Sequence, residues 1–134
     1  EDVYVAACRR DHPLAGSKSL TWEAFYQQDY ITLDITSGNR NMLDQMLGHI
    51  QPAQPSICET RHVTTMLGMV EAGIGIAAFP AMSMPYSAHS FLTSIPLIEP
   101  EVKRTIGVIR RNGRIQSWIA TELEKLITAR YRAG

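Results

Sequence analysis

The chain has 134 residues, of which 45% are hydrophobic and 19% are charged, a composition typical of a globular domain and too apolar for a disordered chain. Thirteen basic residues balance thirteen acidic ones, so the chain as a whole lacks the excess positive charge that non-specific nucleic-acid binding requires. No run approaches about 18 consecutive apolar residues and no stretch has the pattern of a signal peptide, so we expect no membrane contact.

The first half of the chain alternates between strand and helix patterns. Glu1 is followed at once by the apolar run Val3–Cys8, which predicts a buried strand in a chain cut from a longer protein. Thr21 is then expected to cap a short helix, and Tyr30–Ile35 predicts a second strand. The next helix is indicated by apolar residues at a period of about 3.6: Met42, Leu43, Met46, Leu47 and Ile50.

The second half continues the alternation. The segment ICET (57–60) predicts a third strand, His62–Ala72 a helix, and IGIAAFP (74–80) a fourth strand. A weaker strand signal follows near Leu92–Leu97, and Arg104–Arg111 also predicts a strand. The last element is a helix whose apolar residues are in register: Ile115, Trp118, Ile119, Leu123, Leu126, Ile127 and Tyr131. This order predicts an α/β fold with a mostly parallel sheet flanked by helices.

Gly73, Gly75 and Ala78 match the dinucleotide-binding pattern G-x-G-x-x-[G/A]. That pattern must follow a strand and open a helix, because the pyrophosphate binds the free N–H groups of the helix N-terminus. Here the predicted order is reversed, with a helix before Gly73 and a strand after it. We therefore interpret Gly73 as the left-handed residue that ends a helix and Gly75 as the residue that permits a tight entry into the next strand.

Patterns of catalytic and metal-binding residues are also missing. No G-x-S-x-G motif supports a hydrolase serine. The four histidines are scattered and have no metal-ligand spacing: His12, His49, His62 and His89. Cys8 and Cys58 are interpreted as reduced thiols, with a redox-sensing pair as the alternative. The sequence therefore predicts no catalytic residue, no metal and no cofactor.

Two strand-to-helix junctions are better candidates for a binding site. The turn ITSGN (35–39) offers two hydroxyls and a glycine that lets a ligand approach the backbone, and TRHVT (60–64) joins the next strand to the next helix. Both are expected at the carboxyl edge of a parallel sheet, where helix N–H groups favour a small carboxylate. Three basic side chains lie nearby in sequence: Arg40, Arg61 and His62. The alternative is that the hydroxyls of Thr36, Ser37 and Thr60 only cap helices.

Three blocks of sequence, taken in order, resemble a known family. They are HPLA (12–15), MVEAGIGIAAFP (69–80) and PLIEPEVKRTIGVIRR (96–111). Together with YITLDITSG (30–38), their order and spacing resemble the effector-binding region of LysR-type transcriptional regulators over nearly the whole chain.

The resemblance implies one lobe of a two-lobed domain with a periplasmic-binding-protein-like (type 2) fold. Residues 1–97 would form the second lobe, and residues 98–134 would supply the returning strand and terminal helix of the first lobe. Regulators of this kind are cytoplasmic homotetramers, and we expect a dimer for this chain alone. By the same resemblance, DNA is contacted only through a winged helix-turn-helix domain that this chain does not contain.

In such a domain a small metabolite, often a carboxylic acid, binds between the lobes and controls transcription without catalysis. The ligand-binding residues implied in this chain are Thr36, Ser37, Gly38, Asn39, His62, Val63, Thr64 and Phe79. Two alternatives remain: a transport-type solute-binding protein of related fold, and an enzyme built on the same fold, such as a dehydratase or deaminase.

The sequence departs from the family before the last helix, where RIQSWIATEL (114–123) lacks the usual Ser-Pro start. The apolar stripe around Trp118 would normally pack on the sheet of the first lobe. Because a large exposed apolar surface favours association, we expect this chain to self-associate through that stripe.

Overall fold

The computed structural model describes residues 1–85, 90–113 and 115–132, with only the backbone at Arg132, so His89 lies outside the described residues. In chain order the elements are β1 (Asp2–Arg9), β2 (Leu20–Thr21), α1 (Trp22–Tyr26), β3 (Tyr30–Leu33), α2 (Gly38–Met46), β4 (Cys58–Thr60), α3 (Val63–Glu71), β5 (Ile76–Pro80), a 3₁₀ turn (Ala81–Ser83), β6 (Leu92–Ile98), β7 (Lys103–Arg104) and α4 (Trp118–Arg132). The predicted alternation of strands and helices is confirmed up to β6.

Within the described residues, the strands form a seven-stranded sheet of order β2-β6-β1-β5-β3-β4, with β7 paired to β1. Strand β3 runs parallel to β4 and β5, and β2 runs parallel to β6. Strand β1 is antiparallel to β5, β6 and β7. The α/β class is confirmed, but the sheet is mixed and not mostly parallel as expected, because β1 runs antiparallel to its neighbours β5 and β6. Parallel pairing is concentrated around β3.

The core lies on both faces of the central strand β1. Because successive residues of a strand point to opposite faces, Tyr4 and Cys8 pack in the cluster that contains the α1 side chains Trp22 and Phe25. Ala7 packs on the other face in the cluster that contains Met66 of α3. Thr21 caps α1 as predicted, with its hydroxyl accepting a hydrogen bond from the Ala24 N–H at 3.2 Å.

A buried ion pair joins β1 to β7. The Asp2 side chain has 0% exposure, and its Oδ2 lies 2.9 Å from Nε and 2.8 Å from Nη2 of Arg104. Its Oδ1 accepts a hydrogen bond from the Met82 N–H at 2.9 Å. The remaining edge of the guanidinium reaches α2, where Nη1 donates to Asn39 Oδ1 at 3.1 Å. These contacts link four segments of the chain: β1, the 3₁₀ turn, β7 and, through the guanidinium, α2.

The prediction of a strand over Arg104–Arg111 is wrong beyond its first residue. Strand β7 ends at Arg104, and residues 105–111 form no strand in the structure. A strand is stabilised by backbone hydrogen bonds to a neighbour, and within the described part of the chain no strand pairs with this segment. Its apolar side chains are exposed as a result: Ile106, Val108 and Ile109.

Helix α4 leaves its apolar stripe in solvent. Trp118 is 76% exposed and Leu126 is 70% exposed. Ile106, Val108, Ile109 and Ile115 are exposed as well, so most of the exposed large apolar side chains of the described residues lie after β7. None of the helices in the described residues has the length and apolar character needed to cross a lipid bilayer.

The two glycines of the apparent dinucleotide pattern serve the turn between α3 and β5. Gly73 has φ +78° and follows α3, so the interpretation as a left-handed helix end is confirmed. A Cβ on Gly75 would lie 2.4 Å from the Asp29 carbonyl oxygen, which explains why the entry into β5 needs glycine. The pattern therefore opens a strand, and the nucleotide interpretation is excluded by its position.

A pair of glycine substitutions tests this packing. Gly75→Ala should lower the free energy of unfolding by about 1–3 kcal/mol, because the new methyl group overlaps backbone that has no room to move. Gly68→Ala is the matched control, since it lies inside α3 with no atom within 4 Å of the added Cβ. It should raise the free energy of unfolding by about 0.5–1 kcal/mol. Urea denaturation measures both, and equal effects would contradict the assigned geometry.

Candidate functional site

The two predicted junctions lie side by side at the carboxyl ends of β3 and β4. These strands are parallel, with Leu33 opposite Thr60, so both strands end at the same edge of the sheet. The Asp34 N–H extends the ladder by donating to the Thr60 carbonyl oxygen at 2.9 Å. The edge therefore carries the N-termini of α2 and α3 together, which is the usual position of a ligand crevice in open α/β folds.

Asp34 holds the two turns in place. Its Oδ1 accepts hydrogen bonds from the hydroxyl and the N–H of Thr36, and its Oδ2 lies 3.3 Å from Arg61 Nε. The hydrogen bonds from Thr36, aided by Arg61, lower the pKa of the Asp34 carboxyl below its ordinary value. Sequence reasoning missed Asp34, although an Asp two residues before a Thr is the pattern of a side-chain turn.

The N-terminus of α2 presents unpaired donors. Ser37 occupies the N-cap position, but its hydroxyl makes no capping hydrogen bond. The first helical N–H that bonds back is that of Asn41, which donates to the Ser37 carbonyl oxygen at 3.0 Å. The three preceding N–H groups, on residues 38–40, have no partner within the helix by its geometry. Together with the positive end of the helix dipole they form a surface suited to an anion.

The N-terminus of α3 adds a second, smaller set of groups. His62 is its N-cap residue, is exposed, and makes no side-chain capping bond. Thr64 is exposed and Val63 is half-buried.

At α2, the structure does not show the alternative in which the hydroxyls cap the helix. The Thr36 hydroxyl bonds to Asp34, and the Ser37 hydroxyl makes no capping hydrogen bond.

Two other residues proposed near the crevice have partners in the fold. Arg40 bonds Asp44 within α2, and its Nη1 donates to the Leu33 carbonyl oxygen at 3.1 Å, so Arg40 holds α2 against the end of β3. Phe79 is fully buried, in the core cluster that contains Met66 of α3, so its side chain offers no surface to a ligand. The resemblance implied that Phe79 lies beside the cleft, but successive residues of β5 alternate between the two faces of the sheet, and its neighbours Ala78 and Pro80 line the cavity instead.

A cavity opens where β3 and β5 part. The two strands pair only at Tyr30–Ile76 and Ile31–Ala77, while β5 continues along β1 to Pro80. The cavity has a volume of about 50 Å³, and its walls include Thr32, Leu33, Asn39, Val63, Ala78 and Pro80. It therefore brings together residues from both predicted junctions.

Among the residues that the structure describes, no group of three or more His, Cys, Asp or Glu side chains could hold a metal ion.

A family model described as the LysR substrate binding domain matches residues 1–131. The chain belongs to this family. The resemblance found in the sequence is thereby confirmed, and the crevice lies in a domain type that binds small molecules.

Two curated relatives of this LysR-type domain are transcriptional regulators of Escherichia coli (strain K12). The HTH-type transcriptional regulator YbhD is 41% identical over 116 residues, which cover 87% of this chain and 37% of YbhD. The transcriptional activator protein LysR is 30% identical over 129 residues, covering 88% of this chain and 40% of that protein. The chain thus spans about two fifths of the length of these relatives.

Solved LysR-type domains share the fold. The effector binding domain of QuiR in complex with shikimate is 26% identical with a TM-score of 0.68, and the match covers 97% of this chain and 61% of QuiR. The Synechocystis PCC6803 CcmR regulatory domain in complex with 2-PG is 20% identical with a TM-score of 0.68, covering 96% and 62%. The periplasmic-binding-protein-like type 2 fold is therefore confirmed.

Substitutions at Thr36 and Arg61 test how Asp34 holds the turns. Thr36→Val should raise the pKa of Asp34 toward its ordinary value, because it removes the largest stabilising contact of the ionised form. Arg61→Gln should raise it less, since Arg61 contributes less to lowering this pKa. Carboxyl NMR shifts followed during an acid titration measure both.

The sign of the accompanying stability effect follows from the lowered pKa. The contribution of Asp34 is present above the pKa of an unfolded Asp and is lost as the pH falls through the lower folded value. A larger pKa change in Arg61→Gln than in Thr36→Val would show that the ion pair, and not the turn, dominates.

Proposed function

We propose that this chain is the effector-sensing part of a LysR-type DNA-binding transcriptional regulator, and that its effector is a small carboxylate. The observation that supports this most strongly is the free N-terminus of α2, with its uncommitted Ser37 hydroxyl, next to the N-terminus of α3 and a cavity. A carboxylate would accept hydrogen bonds from the N–H groups of residues 38–40 and from Ser37. Shikimate, which is bound in the solved QuiR domain, is also a carboxylic acid.

Seven of the ligand residues expected from the sequence remain in the proposal: Thr36, Ser37, Gly38, Asn39, His62, Val63 and Thr64. We assign direct contacts to the backbone of Gly38 and Asn39 and to the Ser37 hydroxyl. His62 and Thr64 would flank the ligand from α3, and Thr36 would act indirectly by fixing the turn through Asp34. Phe79 is left out because it is buried.

The effector would be enclosed by a second lobe, of which this chain carries only a part. We propose that residues 1–97 form one lobe and that residues 98–134 extend to the other. The exposed apolar side chains of residues 106–109 and of α4 support this division, because the sheet of the other lobe would cover them. In the complete protein, a cytoplasmic homotetramer would bind DNA through a separate winged helix-turn-helix domain.

Carboxylate titration of the chain and of a Ser37→Ala variant tests the proposal. Acetate and shikimate in the millimolar range should shift the amide NMR signals of residues 38–40 and 62–64. Ser37→Ala should weaken this binding by about tenfold, the equivalent of ~1.4 kcal/mol, since it removes one hydrogen bond to a charged group. It should leave the free energy of unfolding nearly unchanged, because the hydroxyl caps nothing.

Thr21→Ala is the matched control for this titration. It removes a hydroxyl that does cap a helix, so it should lower the free energy of unfolding by about 0.5–2 kcal/mol. Carboxylate binding should remain at the level of the unchanged protein, because Thr21 lies at neither helix N-terminus of the crevice and does not line the cavity. Silent amides at both helix N-termini under all conditions would refute the carboxylate assignment.

Sedimentation measurements test the proposed dimer of this chain. The mass should rise with concentration, and Trp118→Lys should weaken association at least tenfold, since buried tryptophans dominate apolar interfaces. Phe91→Lys is the control, because Phe91 is 69% exposed and lies outside α4. A monomer at all concentrations, or equal effects of the two variants, would rule out association through α4.

A further inference from the structure

The Tyr4 hydroxyl is a buried polar group without a hydrogen-bond partner. Tyr4 is 2% exposed, and among the described residues no atom pairs with its oxygen. Two aromatic residues of the same core cluster have hydrogen-bonded polar atoms. The Trp22 indole N–H donates to the Pro100 carbonyl oxygen at 2.9 Å, and the Tyr30 hydroxyl donates to the Gln54 carbonyl oxygen at 3.1 Å. Native structures rarely leave a buried hydroxyl unpaired, so Tyr4 calls for an explanation.

Tyr4 lines the cavity that opens between β3 and β5. The aromatic part of the wall consists of Tyr4, Trp22, Phe25, Tyr26 and Tyr30. The wall also includes Asn39, so the cavity reaches the first turn of α2. Exposed residues Asp44 and Pro52 form another part of the wall and give the cavity a route to solvent.

We propose that this cavity binds the uncharged, hydroxyl-bearing end of the effector, with Tyr4 as its hydrogen-bonding partner. The proposal rests on the proposed function, because the carboxylate end of the same molecule would lie on the N–H groups of α2. It adds a specificity-determining residue, Tyr4, and narrows the effector to a small hydroxy acid.

The aromatic part of the wall favours an uncharged occupant. Five of the side chains that line the space are aromatic, and an ion placed against them would lose part of its hydration. Burial raises the pKa of the Tyr4 hydroxyl, so this group stays neutral and can donate or accept one hydrogen bond. The cationic Arg40 in the wall is already paired with Asp44.

The size of the cavity limits the occupant further. A volume of about 50 Å³ is one third of the ~150 Å³ of a dry protein cavity that holds benzene. A six-membered ring is therefore too large to enter completely, whereas a terminal CH₂–OH group of an aliphatic acid fits.

Matched pairs of acids test the proposal. Glycolate, 3-hydroxypropionate and 4-hydroxybutyrate cover three spacings between carboxylate and hydroxyl, and acetate, propionate and butyrate are their partners without the hydroxyl. One hydroxy acid should bind about tenfold more tightly than its partner and should shift the Trp22 indole N–H signal, which reports on the cavity. All six acids should shift the amides of residues 38–40.

Two tyrosine variants identify the group responsible. Tyr4→Phe should abolish the hydroxyl preference and reduce binding of the preferred acid to that of its partner, with the fold intact because this hydroxyl has no partner to lose. Tyr30→Phe removes another hydroxyl from the same wall, one already bonded to Gln54, and should retain the preference. A preference unchanged in Tyr4→Phe would overturn the assignment of Tyr4.

The outcomes separate this inference from the proposed function. If each acid pair binds equally while the α2 amides respond, the cavity assignment is overturned and the carboxylate site stands. If no acid moves those amides, the proposed function fails, and 1-propanol then decides the cavity on its own. A shift of the Trp22 indole signal by 1-propanol that disappears in Tyr4→Phe supports a hydroxyl site there, and no shift overturns it.

Discussion

The ion pair between Asp2 and Arg104 is the contact on which the arrangement of this domain depends. A carboxylate with no exposed surface is stable in the fold only when a cation and hydrogen-bond donors surround it, and here Arg104 and the Met82 N–H fulfil that requirement. The pair fastens β7 to the start of β1, about a hundred residues away in sequence. Because the same guanidinium also bonds Asn39, this contact helps to position the first turn of α2, together with the hydrogen bond from Arg40 to the Leu33 carbonyl oxygen of β3.

The candidate site follows from that placement. With α2 fixed at its first turn, its free N–H groups stand beside those of α3, and the end of β3 separates from β5 beneath them. The separation creates a cavity whose walls are aromatic, next to an edge that is rich in donors. A molecule with a carboxylate at one end and a neutral hydroxyl at the other matches both parts. A site with a donor-rich edge and an aromatic cavity suits a domain of the LysR substrate binding family, whose relatives regulate transcription.

Local sequence patterns predicted much of the fold, because the hydrophobic periods of β1, α3 and β5 and the cap at Thr21 depend on neighbours in the chain. The prediction of a strand over residues 104–111 was wrong beyond Arg104, because a strand also needs a neighbouring strand to pair with, and local sequence does not reveal one. The crevice edge was predictable from topology, whereas the role of Asp34 and the commitment of Arg40 to Asp44 depend on side-chain geometry. No sequence pattern predicted that the Tyr4 hydroxyl is unpaired, because the hydrogen-bond partner of a buried tyrosine is usually distant in the sequence.

The measurement that tests this account most directly is carboxylate binding by an Arg104→Met variant, with Lys103→Met as the control on the same strand. Among the described residues, the Lys103 ammonium group pairs with the exposed residues Glu1 and Glu101, so its replacement should leave the response of the residue 38–40 amides to acetate unchanged. Arg104→Met should weaken that response about tenfold, although Arg104 is not proposed to touch the ligand, because Asn39 loses the contact that positions the first turn of α2. A folded Arg104→Met protein that binds acetate as well as the unchanged chain would contradict the account.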